Sequence, residues 1–327
     1  MVAGIRVSTL LSLGLFMVIT GTTGLYVDEE NPYKTGALPV QNFTLTETKD
    51  HVPRHAVVYY PARPGLFAVL LFSGGFDGAV RVEMGYTDLL SRVAAHGFVV
   101  MGVDLQSLGQ AGDTRRDNLQ GSPAHSLPGS PAHTFLQQMD WARTNLNSYL
   151  ANRTAGVSVD WENTGVFCHS AGCSVILDTV LLNHTAMKAT AFLEPFTSAL
   201  SGNSTVSFRL PALMYGTQFC EDFPFCCVKG MDWNHVYDHW SCPKTTLATK
   251  NQGHCDILDH TMWEICHTTH FCKTGDVDNW AEYHTFIQGF VSAFFISTLQ
   301  GVDDWRYLHN VTDIPIGVMN AKNDTNC

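Results

Sequence analysis

From residue 66 onward the chain repeats one pattern: a short, wholly apolar run, then a longer segment with apolar residues at helical spacing. The runs lie at 66–72, 98–103, 166–168, 189–193 and 212–215, with 245–248 a further candidate. A run without polar alternation cannot turn one face to water, so each is expected to be a strand buried on both sides. Between them, 86–96 stops at Gly97 as a helix with a glycine cap would, and 134–150, 173–182 and 280–299 keep helical periodicity. This alternation specifies an α/β class with a mostly parallel central sheet flanked by helices. Ahead of it, 42–48 and 55–60 have the residues of early antiparallel strands, and 27–37 reads as a loose N-terminal arm. Residues 107–133 collect Gly, Ser, Pro and Asp and predict a long surface loop at the strand ends. No internal repeat or linker interrupts the rest, so 25–327 is expected to form a single domain.

Residues 1–24 have the organisation of a signal peptide. Arg6 supplies the positive start, 9–20 is apolar, and Thr22 and Gly24 suit the −3 and −1 positions of a cleavage site. The apolar stretch, about 12 residues, is short of the ~20 that a spanning helix needs. Six Asn-x-Ser/Thr sequons, at Asn42, Asn152, Asn183, Asn203, Asn310 and Asn323, agree with a secreted, glycosylated protein. Of ten cysteines, eight lie at or beyond Cys220: Cys220, Cys226, Cys227, Cys242, Cys255, Cys266, Cys272 and Cys327. In an oxidising compartment such crowding predicts disulfides stapling a Cys-rich insertion, with a connectivity that spacing leaves open. The net charge of −11 argues against a phosphate-backbone partner, because nucleic-acid binding needs a basic face.

The chemistry centres on Cys168-His169-Ser170-Ala171-Gly172-Cys173. A serine hydroxyl becomes a useful nucleophile only with an adjacent base, a sharp turn that exposes its oxygen, and donors for the developing oxyanion. A strand-turn-helix elbow supplies that turn, and small residues two before and two after the serine let the backbone pass its neighbours. Here those positions are Cys168 and Gly172, so the motif is Cys-x-Ser-x-Gly rather than Gly-x-Ser-x-Gly. Ala171, the next residue, would donate one oxyanion N–H from the start of the following helix. The second donor should follow an earlier central strand; Leu70-Leu71-Phe72-Ser73-Gly74-Gly75-Phe76 places it at Phe76, or at Gly75 if the register differs.

Elbow-type triads run serine, acid, histidine along the chain. His184, His235, His239, His254, His260, His267, His270, His284 and His309 all lie downstream of Ser170. His254 follows a candidate strand and the turn Asn251-Gln252-Gly253, which would project it at the carboxyl edge of the sheet. Glu194 ends the apolar run at 189–193, and Pro195 stops that strand from continuing. It is the preferred acid, with Asp178, Glu221, Asp222 and Asp256 as competitors. His235-x-x-x-His239 and His267-x-x-His270 have spacings that helical metal ligands use. Neither carries the Glu of a His-Glu-x-x-His site, so both are assigned to a lid or insertion, and no metal or cofactor is expected. The loop 107–133 and the 220–242 segment are expected to line the pocket, and Phe223, Phe225 and Trp233 suggest an apolar ligand.

These stretches resemble the chlorophyllase-like branch of the α/β-hydrolase fold, which is similar in turn to bacterial cutinases and platelet-activating-factor acetylhydrolases. The resemblance is carried by Phe72-Ser73-Gly74-Gly75-Phe76, by Tyr86 to Val100, by His169-Ser170-Ala171-Gly172, by Glu194-Pro195 and by Gly253-His254-Cys255-Asp256. It spans roughly 56–299 and implies Ser170 as nucleophile, Glu194 as acid and His254 as base. Three stretches depart from the family pattern. Cys168, Ala171 and Cys173 stand for Gly, Arg and Gly; Glu-Pro stands for Asp-Pro; and Gly74 stands where a His is usual. The expected activity is that of a secreted carboxylic-ester hydrolase working through an acyl-enzyme on a small-molecule or lipid-like ester, an apolar one by the aromatics above. The alternatives are a phospholipase- or acetylhydrolase-type esterase, and a binding protein that kept the hydrolase fold without the activity.

Overall fold

The computed structural model describes residues 24–75, 80–105, 129–200, 204–222, 226–310, 312 and 314–325, with only the backbone of Glu221 and Asp222. Residues 1–23 of the expected leader, Phe76, most of the predicted 107–133 loop, Asn203, Phe223, Phe225 and Cys327 lie outside them. The strands are β1 (Val40–Leu45), β2 (Ala56–Pro61), β3 (Gly65–Ser73), β4 (Phe98–Val103), β5 (Val157–His169), β6 (Ala189–Leu193), β7 (Ala212–Thr217), β8 (Lys244–Thr249) and β9 (Val318–Asp324). The helices are α1 (Glu47–Asp50), α2 (Val82–Gly85), α3 (Thr87–Ala95), α4 (Pro131–Ala151), α5 (Gly172–Asn183), α6 (Trp233–His239), α7 (His260–Thr269), α8 (Trp280–Phe295) and α9 (Arg306–His309).

All nine described strands join one sheet in the order β1-β2-β4-β3-β5-β6-β7-β8-β9. β4, β3, β5, β6, β7 and β8 run parallel, and β1-β2, β2-β4 and β8-β9 pair antiparallel. The apolar runs are central because both of their faces are covered. In β3, Ala68, Leu70 and Phe72 enter one core with α3 and α8, while Phe67, Val69 and Leu71 enter the other with α4, α5 and α6. This is the α/β-hydrolase arrangement that the alternation and the elbow lead one to expect.

Three local expectations are corrected and one strand is added. The 13-residue β5 begins at Val157 rather than near 166, and its register against β3 jumps between Ala68 and Val69, pairing them with Asp160 and Thr164. Asp160 accepts from the Glu162 N–H at 3.0 Å and the Asn163 amide at 2.8 Å, so a polar bulge hides the strand from any hydrophobicity pattern. β9 is a mostly exposed edge strand without apolar alternation, and no sequence signal marks it. α4 starts at Pro131, with Ser130 accepting from the His133 N–H; what reads as the loop's last residues is the cap and first turn. The N-terminal arm is not loose. The Asp28 carboxylate lies 2.8 Å from His96 Nδ1, its N–H donates to Gln300, and the Tyr33 hydroxyl donates to the Tyr307 carbonyl at 2.6 Å.

Candidate active site

The carboxyl ends of parallel strands are where open α/β sheets form their crevices, since the chain leaves each strand there and the loops splay. Ser170 follows β5, Glu194 follows β6, His254 follows β8 and the Gly74-Gly75 turn follows β3. Pairing fixes the first two. His169 faces Leu193 across the ladder, the Ser170 N–H donates to the Leu193 carbonyl at 3.1 Å, and the Glu194 N–H donates to the Tyr215 carbonyl at 2.8 Å.

Ser170 and Glu194 both lie in the left-handed region, at φ 57° and 47°, which non-glycine residues seldom occupy and which marks functional turns. At Ser170 the reversal lets β5 turn straight into α5. Gly172 makes room for this, because a Cβ there would collide with the carbonyl oxygens of Ser73 and Gly74. Gly75 packs as closely on the other side: a Cβ would sit 3.1 Å from the Ser170 Cβ. The two cysteines that depart from the glycine pattern are bonded to each other, Cys168 to Cys173, tying the strand end to the first turn of α5. The Ala171 N–H has no acceptor among the described residues, as befits the orphan donors at a helix start.

His254 Nε2 lies 2.8 Å from Ser170 Oγ, and its Nδ1 lies 3.3 Å from Glu194 Oε2. No other described histidine reaches Ser170. His184 stacks on Phe208, His235 donates to the Leu200 carbonyl, His239 to the His235 carbonyl, and His284 to the Asp256 carbonyl. His260 and His267 pack against Trp263, His270 caps α7, and His309 stacks on Trp305. In the helical pairs with metal-ligand spacing, His235 and His239 thus each hold a backbone carbonyl, and His267 Nδ1 pairs with the Thr274 hydroxyl.

Among the competing acids, Asp178 lies within α5, and the side chains of Glu221 and Asp222 are outside the described residues. Asp256 has another task. Its Oδ2 accepts from the Gly253 and Gly275 N–H groups and its Oδ1 from the Trp263 indole, each at 2.7 Å, so it organises the turn that carries His254. Burial nonetheless pushes its carboxyl up to about 6, against those three donors. Burial also raises the Glu194 carboxyl, opposed by the hydrogen bond from His254 and by nearby Thr217. Thr217 acts there at a distance, for Glu194 Oε1 and Thr217 Oγ1 are both buried without a close hydrogen-bond partner among the described residues.

Three disulfides gather around His254: Cys255–Cys266 beside it in sequence, Cys226–Cys272, and Cys220–Cys227. Cys227 Sγ touches Glu194 Oε2 at 3.4 Å and His254 Nδ1 at 3.9 Å. A disulfide sulfur carries no proton to donate to Glu194, so the sulfur packs over the Glu194–His254 pair. Glu194, Cys220, Cys227 and His254 cluster as tightly as the ligands of a metal site, but both sulfurs are bonded to each other and offer no thiolate.

Trp233 does not line the pocket. It is buried in the core, with its indole against Gly216, where only glycine leaves room for it. A cavity of about 480 Å³ opens beside Cys227, lined by Lys229, Asp232, Asn234, His235 and Asp238, whereas most of the 107–133 loop expected to line the substrate pocket, with Phe223 and Phe225, lies outside the described residues. The described sequon residues Asn42, Asn152, Asn183, Asn310 and Asn323 are all exposed. Among the described residues no helix is long and apolar enough to cross a membrane.

The chlorophyllase family model matches residues 28–320. The chain is similar to chlorophyllase-2 of Arabidopsis thaliana, with 22% identity over 273 residues that cover 77% of this chain and 79% of that protein. It is similar also to chlorophyllase-1 of the same plant, 23% identical over 305 residues, 82% of this chain and 84% of the other.

Proposed function

We propose that this chain, which belongs to the chlorophyllase family and is thereby a hydrolase of ester bonds, uses Ser170, His254 and Glu194 as a catalytic triad through an acyl-enzyme. The observation that carries the reading is the 2.8 Å contact between His254 Nε2 and Ser170 Oγ at a left-handed elbow. As Oγ attacks the ester carbonyl carbon, His254 Nε2 takes its proton, and Glu194 stabilises the imidazolium through Nδ1. The oxyanion rests on the Ala171 N–H and on the Phe76 N–H. His254 returns the proton to the departing alkoxide, leaving an acyl-Ser170, and water repeats the sequence to release the acid. The disulfide sulfur of Cys227 over Nδ1 excludes water from the acid–base pair, which strengthens the ion pair formed in the transition state.

The leader, the exposed sequons and the disulfides support secretion into an oxidising compartment. The substrate class proposed is a carboxylic ester with an apolar portion, on the strength of the family. A fluorophosphonate probe should label the folded protein, and Ser170→Ala should abolish labelling and lower kcat on p-nitrophenyl esters at least about 10³-fold. Labelling that persists in the variant would refute the serine assignment. A folded wild type that neither labels nor turns over any chain length would favour the binding-protein alternative.

A further inference from the structure

Behind the elbow, a line of buried hydrogen bonds runs from the oxyanion loop to the base, and no step of the mechanism above uses it. The Gly75 N–H donates to the Tyr86 hydroxyl oxygen at 2.8 Å, that oxygen lies 2.8 Å from His169 Nδ1, and His169 Nε2 lies 3.1 Å from the His254 carbonyl oxygen. Tyr86 and His169 are both almost fully buried. Neither side chain hydrogen-bonds Ser170 Oγ, so neither handles the reacting atoms.

The partners fix every direction in this line. A carbonyl oxygen only accepts, so His169 Nε2 must carry the proton. The neutral ring then presents Nδ1 as an acceptor, Tyr86 must donate to it, and the phenol's lone pair is free for the Gly75 N–H. No donor is left without an acceptor, and with the ring neutral no second arrangement of protons satisfies all three contacts. We propose that Tyr86 and His169 are positioning residues, which hold the Gly74-Gly75 loop and the His254 turn at a fixed separation across Ser170. This rests on the triad reading and adds to it. It also removes the alternative register for the oxyanion hole, since the Gly75 N–H already points at Tyr86.

The charge state supports the geometry. Burial holds the His169 imidazole well below its usual range, and a positive His254 pushes it the same way; burial raises the Tyr86 phenol. His169 therefore stays neutral while His254, whose ring centroid lies 4.8 Å away, takes up a proton in each turnover. Packing alone would not select these residues, because an apolar ring fills the same space between Phe72 and His254. What selects them is the need for a donor and an acceptor on opposite sides of one ring.

The test is Tyr86→Phe, which removes one oxygen and keeps the ring. Displacing a preorganised donor by a fraction of an ångström should lower kcat per titrated active site about 10- to 100-fold, with KM within about threefold and the fluorophosphonate labelling rate falling in step with kcat. His169→Gln can accept from Tyr86 and donate to the His254 carbonyl, so it should stay within about fivefold of wild type, whereas His169→Leu should not. That pair also decides the matter if Tyr86→Phe yields no folded protein. A wild-type kcat in Tyr86→Phe, or equal losses in the Gln and Leu variants, would overturn the proposal while an inert Ser170→Ala left the triad standing. Full turnover in Ser170→Ala would remove the triad, and this inference with it.

Discussion

The proposed nucleophile and the proposed base are held in place by different means. Ser170 and Glu194 sit where adjacent central strands end, and the β5–β6 ladder, with main-chain bonds from Ser170 and Glu194, sets their separation. His254 follows β8 by a longer path, through Asn251 at φ 60° and a 3-10 turn that no ladder supports. There the structure relies on Asp256 accepting three hydrogen bonds and on cross-links, Cys255–Cys266 and Cys226–Cys272. A β-sheet can place residues on neighbouring strands at no added cost, since the pairing exists for folding anyway. A residue reached by a loop must be ordered separately, against the conformational entropy of that loop.

The largest test of this contrast is Asp256→Asn. An amide there turns an NH₂ toward N–H donors that now meet a carboxylate oxygen, leaving buried groups unmatched. We expect a loss of about 2–4 kcal/mol in urea unfolding and at least a tenfold drop in kcat as the His254 turn loosens. Unchanged activity would mean that the turn holds His254 without its carboxylate.

Next in size is removal of single disulfides as paired alanine variants. Cys255–Cys266 closes a loop with a sequence separation of 11, and its loss should destabilise by about 3 kcal/mol and lower kcat, because the cross-link borders His254. Cys168–Cys173, with a separation of 5, should contribute about 2 kcal/mol and leave kcat within about threefold, since the ladder still holds the elbow. Melting temperatures and kcat of both variants check this; a larger activity loss from the elbow pair would reverse the assignment of which half depends on cross-links.

The last effect is on pH dependence. Burial lowers the His284 imidazole to about 4 from 6.5, so its contribution is fully present above 6.5 and is lost as the pH falls through about 4. Asp256, raised from 3.8 to about 6, works in the opposite sense: its contribution is present below about 3.8 and is lost as the pH rises through about 6. His284→Gln keeps a donor for the Asp256 carbonyl and removes the first slope. Between pH 7 and 4.5 the variant should therefore gain about 2–3 kcal/mol on wild type in urea unfolding. Parallel stability curves for the two proteins would exclude His284 as a source of acid lability.

The half that the ladder holds is also the half most legible in the sequence. Ser170 and Glu194 stand at the ends of apolar runs that are strands for purely local reasons, and Pro195 marks where the second run stops. His254 is legible through the short chain distance from β8 and its flanking glycine. Asp256 reads as a competing acid because its three donors come from Gly253, Trp263 and Gly275, and the indole and Gly275 reach it only through the folded turn. Cys168 and Cys173 look like defects in a motif because the sequence shows two residues and not the bond between them. Tyr86 and His169 both fall within the stretches that carry the family resemblance, but 83 positions of chain separate two groups that meet at 2.8 Å.

Residue order alone was enough for the class of fold, the parallel core and the succession Gly-rich loop, elbow, Glu-Pro, Gly-His. Each of these follows from a local preference, whether hydrophobic periodicity, a glycine turn or a proline stop, and such preferences act over a few residues. The three-dimensional arrangement alone decided which cysteines pair, which buried polar groups satisfy one another, that the N-terminal arm is pinned by His96, and that Trp233 belongs to the core. Those outcomes depend on contacts between segments far apart in the chain. Burial makes every such polar contact mandatory, and only the packed structure says which partner is within reach.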